Sequence, residues 1–91
     1  MFTKSEHAKR RIRERNIPPL IIDLLMIYGD SKYLPEGKKI RFFNKRSKQK
    51  MSRDLGRSII SDLSKFLNCF LVHNHSNVLV TVGRRSKRIK N

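Results

Sequence analysis

His7, Arg11 and Arg15 recur every four residues near the start of the chain, a spacing that puts all three along one edge of a helix. One chemistry calls for that set. RNA is cut without a metal when its own 2′-OH attacks the adjacent phosphorus. The reaction needs a base at the hydroxyl, cations around the developing phosphorane and a proton for the leaving 5′-oxygen. An imidazole is the side chain suited to move a proton near neutral pH. Arg11 and Arg15 would hold the phosphate through planar forks. Arg85, leaving the last strand after Val82, would add a cation if that strand end lies near the first helix. The competing interpretation is structural: His7 as a cap or hydrogen-bond partner, and the arginines bound to Glu14, Asp23 or backbone carbonyls.

These residues belong to a strongly basic chain of 91 residues, with 22 Lys+Arg against 7 Asp+Glu and a net charge of +15. The charge falls into three blocks, at 1–15, 37–57 and 84–91, while 17–36 and 58–83 are apolar and together slightly acidic. Within the middle block, Lys45, Arg46, Lys48, Lys50, Arg53 and Arg57 surround Asp54 as the sole acid. Such a cluster is expected to contact phosphate rather than merely solvate a helix face. Arg84, Lys87 and Arg88 extend the expectation to a basic C-terminal tail. Self-repulsion at this level opposes compaction, and a polyphosphate partner offsets it by releasing its counterions. RNA is therefore the expected partner, with a non-catalytic DNA- or RNA-binding module as the alternative to a ribonuclease.

Other chemistries find little support. His73 and His75 stand two apart in a turn-rich segment with no thiolate or close carboxylate, short of the three ligands a metal site requires. No metal and no cofactor are expected. Cys69 lies in an apolar run that disfavours its thiolate, and it reads as a small hydrophobe in a reducing, cytoplasmic setting. The four glycines are scattered, so no loop cradles a phosphate. Tyr28 and Tyr33 are expected to pack in the core. No helix-turn-helix with a credible recognition helix is present. No apolar h-region follows Met1–Glu6, and no apolar stretch approaches the roughly 18–20 residues of a membrane span.

The positioning elements follow from pattern. Ser5 is a helix N-cap, with Ala8 and Ile12 facing inward and the helix running to about Arg15. Pro18-Pro19 opens a second helix, nearly all-round apolar from Leu20 to Tyr28 and stopped by Gly29-Asp30; it should be the most buried. A hairpin follows, Tyr33-Leu34 and 38–43 around Pro35-Glu36-Gly37. From Asn44 a helical stripe runs through Met51, Leu55, Ile59 and Leu63, with Gly56 able to split it. Cys69–Val72 and Val78–Val82 flank the turn-rich 73–77 segment as a second hairpin, central in the sheet and ended by Gly83. The result is one α+β domain over 1–91, ordered α-α-β-β-α-β-β around a mostly antiparallel sheet of about four strands.

His7-Ala8-x-x-Arg11-Ile12-x-x-Arg15-x-Ile17 resembles the opening of a family of small bacterial proteins reading HA-x-x-R-M-x-x-R-G-I, thought related to the BrnT and RelE/ParE-like toxins. Val80-Thr81-Val82-Gly83, then Arg85 and Arg88-Ile89, is similar to that family's last strand and basic exit. About a dozen positions carry the resemblance. The family's Gly is Asn16 here, which also tolerates a left-handed backbone. Arg84 stands where many relatives have His, removing a proton-transfer group. The resemblance implies a toxin-like α+β ribonuclease fold, action on mRNA or at the ribosome, a neutralising acidic antitoxin, and no metal.

Overall fold

The computed structural model describes residues 3–85. Its core is a five-stranded sheet in the order β1-β5-β4-β3-β2, built from β1 (Thr3–Lys4), β2 (Asp30–Leu34), β3 (Lys38–Phe42), β4 (Cys69–His73) and β5 (Val78–Arg84). The helices are α1 (Glu6–Glu14), α2 (Pro19–Tyr28), α3 (Lys45–Leu55) and α4 (Ser58–Asp62). The α+β class and the element order hold, but the sheet has one strand more than the sequence predicts. That strand is β1, which pairs in parallel with Val78 and Leu79 of β5. Two exposed polar residues carry no local strand pattern; only a partner some 75 positions away makes them a strand.

Local chemistry starts and stops the helices largely where expected. Ser5 Oγ accepts from the Ala8 amide at 3.0 Å and donates to the Val80 carbonyl at 3.1 Å, so the cap also pins α1 to β5. Asn16 is left-handed at φ 51°, and the Ile17 amide returns to the Ile12 carbonyl, closing the helix as a Gly at this position would. The predicted third helix is two. Gly56, at φ 97°, ends α3 and leaves Leu55 47% exposed, so the four-residue stripe is broken at the backbone.

One core unites the helices with the sheet: Ala8, Ile21, Leu25, Met51, Leu71 and Val82 are among its fully or almost fully buried members. α1 lies along β5, and α2 packs on β3, β4 and α3. α2 buries Ile21, Ile22, Leu24 and Leu25, yet Leu20 (53%) and Ile27 (71%) face outward; an apolar helix on the outside of a sheet still has a solvent side. Tyr28 is half-buried against the core, whereas Tyr33 is 78% exposed and corrects the expectation of core packing. β5 does not stop at Gly83. A Cβ there would stand 3.0 Å from the tip of the Phe70 ring, directly across the ladder, so glycine lets the phenyl lie over the strand, which continues to Arg84. Among the described residues, no helix is long and apolar enough to cross a membrane.

Candidate nucleic-acid interface

The clearest basic surface is α3. Its N-terminus is held by a capping box: Asn44 Oδ1 accepts from the Ser47 amide at 2.9 Å, and Ser47 Oγ accepts from the Asn44 amide at 3.3 Å. Asn44 Nδ2 also donates to Asp30 Oδ2 at 2.7 Å, fastening the helix start to the first residue of β2. Ser47 and Met51, at i,i+4, make the buried line of the helix. The outward-facing positions are largely basic. Arg46, Lys50 and Arg53 recur at i, i+4 and i+7, a stripe of about 10 Å at helical rise. Lys45, Arg46, Lys50, Arg53 and Arg57 are exposed and Lys48 is half-buried. Of these six, Arg53 pairs with Asp54 at 3.1 Å; the other five have no carboxylate within ion-pair distance among the described residues.

The proposed catalytic set is only partly assembled. His7 is exposed in the first turn of α1, where its Nδ1 lies 3.2 Å from Arg10 Nη2, a neighbour the four-residue spacing did not single out. Arg11 is half-buried on the same helix and Arg15 exposed at its end. Arg85 does not join them. Ser5, at the head of α1 beside His7, is bonded to Val80, and Arg85, just past the end of β5, lies five residues further along the chain, about 17 Å from that head at strand rise. There its guanidinium donates to the Phe43 carbonyl at 2.7 Å and sits 5.9 Å from the Phe42 ring centre. It is Arg84 that reaches α1: its Nη2 meets the Arg15 carbonyl at 3.4 Å, its Nη1 the Lys65 carbonyl at 3.1 Å, and the group stacks 5.2 Å from the Phe66 centre. Cations near a helix C-terminus complement its carbonyls, so Arg84 has a structural duty. Lys87 and Arg88 lie outside the described residues.

A second polar cluster lies on the sheet. Directly paired residues share a face. One row runs Tyr33, Lys39, His73, and the next Ser31, Arg41, Leu71. Arg41 Nε donates to His73 Nε2 at 3.1 Å, and His73 Nδ1 lies 3.1 Å from the Asn74 carbonyl. With Nδ1 donating to that carbonyl, Nε2 carries the lone pair Arg41 needs. Burial, reinforced by the Arg41 and Lys39 charges, holds His73 below the ordinary imidazole range of 6.5 despite the Asn74 contact. His73 therefore belongs to β4 and not to the turn, which begins at Asn74. The polar run His-Asn-His-Ser-Asn hides this, because strand alternation from Cys69 through Leu71 to His73 was the signal to follow. Cys69 is fully buried, and burial raises its thiol against the opposing pull of Arg84, as its apolar run predicts.

Near the other end of α1, an open cleft of about 730 Å³ separates β1, α1 and α2, with Ile22, Met26 and Ile27 on its wall and Lys4, Lys9 and Asp23 also lining it. Comparison with protein-family models, with curated proteins and with solved structures gives no match.

Proposed function

We propose that this protein binds RNA through the phosphate backbone, as a toxin-like protein acting on mRNA or at the ribosome in the cytoplasm. One observation carries the proposal: four exposed cations of the α3 cluster, Lys45, Arg46, Lys50 and Arg57, and the half-buried Lys48 have no carboxylate partner among the described residues, within a chain of net charge +15. Concentrated, uncompensated positive charge on a rigid helix is the footprint of backbone recognition. Base-specific DNA reading is disfavoured. The helix after α3 is only Ser58–Asp62, without a cation to carry into a groove. An acidic protein partner completes the proposal, with the apolar cleft at Ile22, Met26 and Ile27, lined also by Lys4 and Lys9, as its seat.

The catalytic form of this proposal is metal-independent cleavage by His7 with Arg11 and Arg15; the binding form needs none of them. Two measurements separate the forms. Glutamate at Lys45, Arg46, Lys50 and Arg57 together should weaken RNA affinity and flatten its salt dependence, since each lost phosphate contact removes about 0.7–0.9 from the log–log slope. An unaltered slope would remove α3 from the interface. In EDTA, His7→Ala and Arg11→Ala should each abolish cleavage of a test RNA while leaving the fold and most affinity in place. Cleavage unchanged in both variants rejects that site, and no cleavage by the wild type leaves the binding form standing.

A further inference from the structure

The sheet row at Tyr33 makes sense as more than surface. β3 is an interior strand, with β2 on one side and β4 on the other, yet its helix-side positions are Lys39 and Arg41, in line with the core residue Leu71 and with His73. Apolar residues there would extend the core at lower cost. Instead Lys39 lies beside an aromatic ring that is 78% exposed, its Nζ 4.7 Å from the Tyr33 centroid, and Arg41 stands in the adjoining row. No carboxylate occurs among Ser31, Tyr33, Lys39, Arg41 and His73 in these two rows. Arg41 is also pre-oriented. Its Nε is taken by His73, and among the described residues its two terminal nitrogens make no hydrogen bond to protein. Those nitrogens form the edge of a guanidinium that grips phosphate bidentately.

We infer that Tyr33, Lys39 and Arg41 form a subsite for one unpaired nucleotide of single-stranded RNA, the base stacking on Tyr33 and the phosphate held by Arg41 and Lys39. The inference rests on the RNA-binding function proposed above and names the strandedness that α3 alone does not select. Residues 39 and 41 stand about 7 Å apart along the strand, the scale of a base and its own phosphate. An exposed tyrosine beside cations is the stacking platform of single-strand binders. The bases of a duplex are already stacked on one another and are closed to it. His73 is a positioning residue here: it fixes Arg41 and does not touch the nucleotide.

The test is direct, because the chain has two tyrosines and no tryptophan. Affinities are measured by anisotropy for a labelled oligouridylate and for a blunt RNA duplex of equal length, with tyrosine emission followed in parallel. Tyr33→Ala should weaken oligouridylate binding by roughly 5- to 150-fold and duplex binding by less than about twofold. Tyr33→Phe should restore the oligouridylate affinity, and Arg41→Ala should lower it with a smaller salt slope. Quenching of tyrosine emission by the oligouridylate should persist in Tyr28→Phe and vanish in Tyr33→Phe. Equal oligouridylate affinity in wild type and Tyr33→Ala, or equal losses on both RNAs, overturns the subsite while leaving α3 binding intact. Wild type binding neither RNA overturns both proposals.

Discussion

His73 is a buried histidine facing two cations, and its surroundings dictate its protonation state. Arg41 donates to its Nε2, Lys39 stands across the ladder, and the Asn74 carbonyl accepts from its Nδ1–H. Burial first, then those two charges, hold it below its ordinary value of 6.5. The folded chain therefore binds fewer protons at this site than the unfolded chain does. Stability contributed by the neutral ring is fully present above about pH 6.5 and is lost as pH falls through the lower folded value. His73→Gln keeps an acceptor for Arg41 and removes the titration. Thermal midpoints from pH 7.5 down to 5 should fall less steeply in this variant than in the wild type. Parallel curves would show that the ring is not strained by its neighbours.

At the scale of elements, α3 depends on its start more than on its length. Asn44 caps the helix, shares the capping box with buried Ser47 and holds Asp30 of β2, so one side chain joins a sheet edge to the basic helix. Asn44→Ala should cost about 1–2 kcal/mol in urea unfolding, the upper range for a cap, because the Asp30 carboxylate loses a partner with it. A loss within about 0.5 kcal/mol, the range of ordinary surface changes, would show that the contact to Asp30 adds nothing. The helices were legible because caps and breakers are local: Ser5, Pro18-Pro19, Asn44 and Gly56 act within a turn of their own positions. β1 was not, since Thr3 and Lys4 become a strand only beside Val78 and Leu79.

For the whole molecule, the charge is spread over a small body with a radius of gyration of 12.6 Å, little more than one Debye length at 0.1 M salt, about 10 Å. The ion pairs on its surface among the described residues, Lys9–Glu6, Arg10–Glu14, Lys38–Glu36 and Arg53–Asp54, are largely solvent-exposed and offset little of it. Raising NaCl from low salt to about 0.5 M, with no nucleic acid present, should therefore raise the thermal midpoint, each 1 kcal/mol of relieved repulsion being worth roughly 4–8 °C in a domain of this size. A midpoint that falls with salt would mean that attractive pairs outweigh repulsion.

By itself the sequence determined the α+β class, the starts of the first three helices, Gly56 as the residue able to split the third, and the three basic blocks. Each depends on residues acting on near neighbours or on simple charge. Tertiary structure alone decided which side chains meet. It separated Arg85 from His7 by the length of β5 and turned Arg84 to the end of α1. It also drew Tyr33, Lys39, Arg41 and His73 from three strands into adjoining rows. Register across a sheet is set by pairings between distant segments and by the one-residue irregularity at Val72/His73, and no local periodicity encodes either.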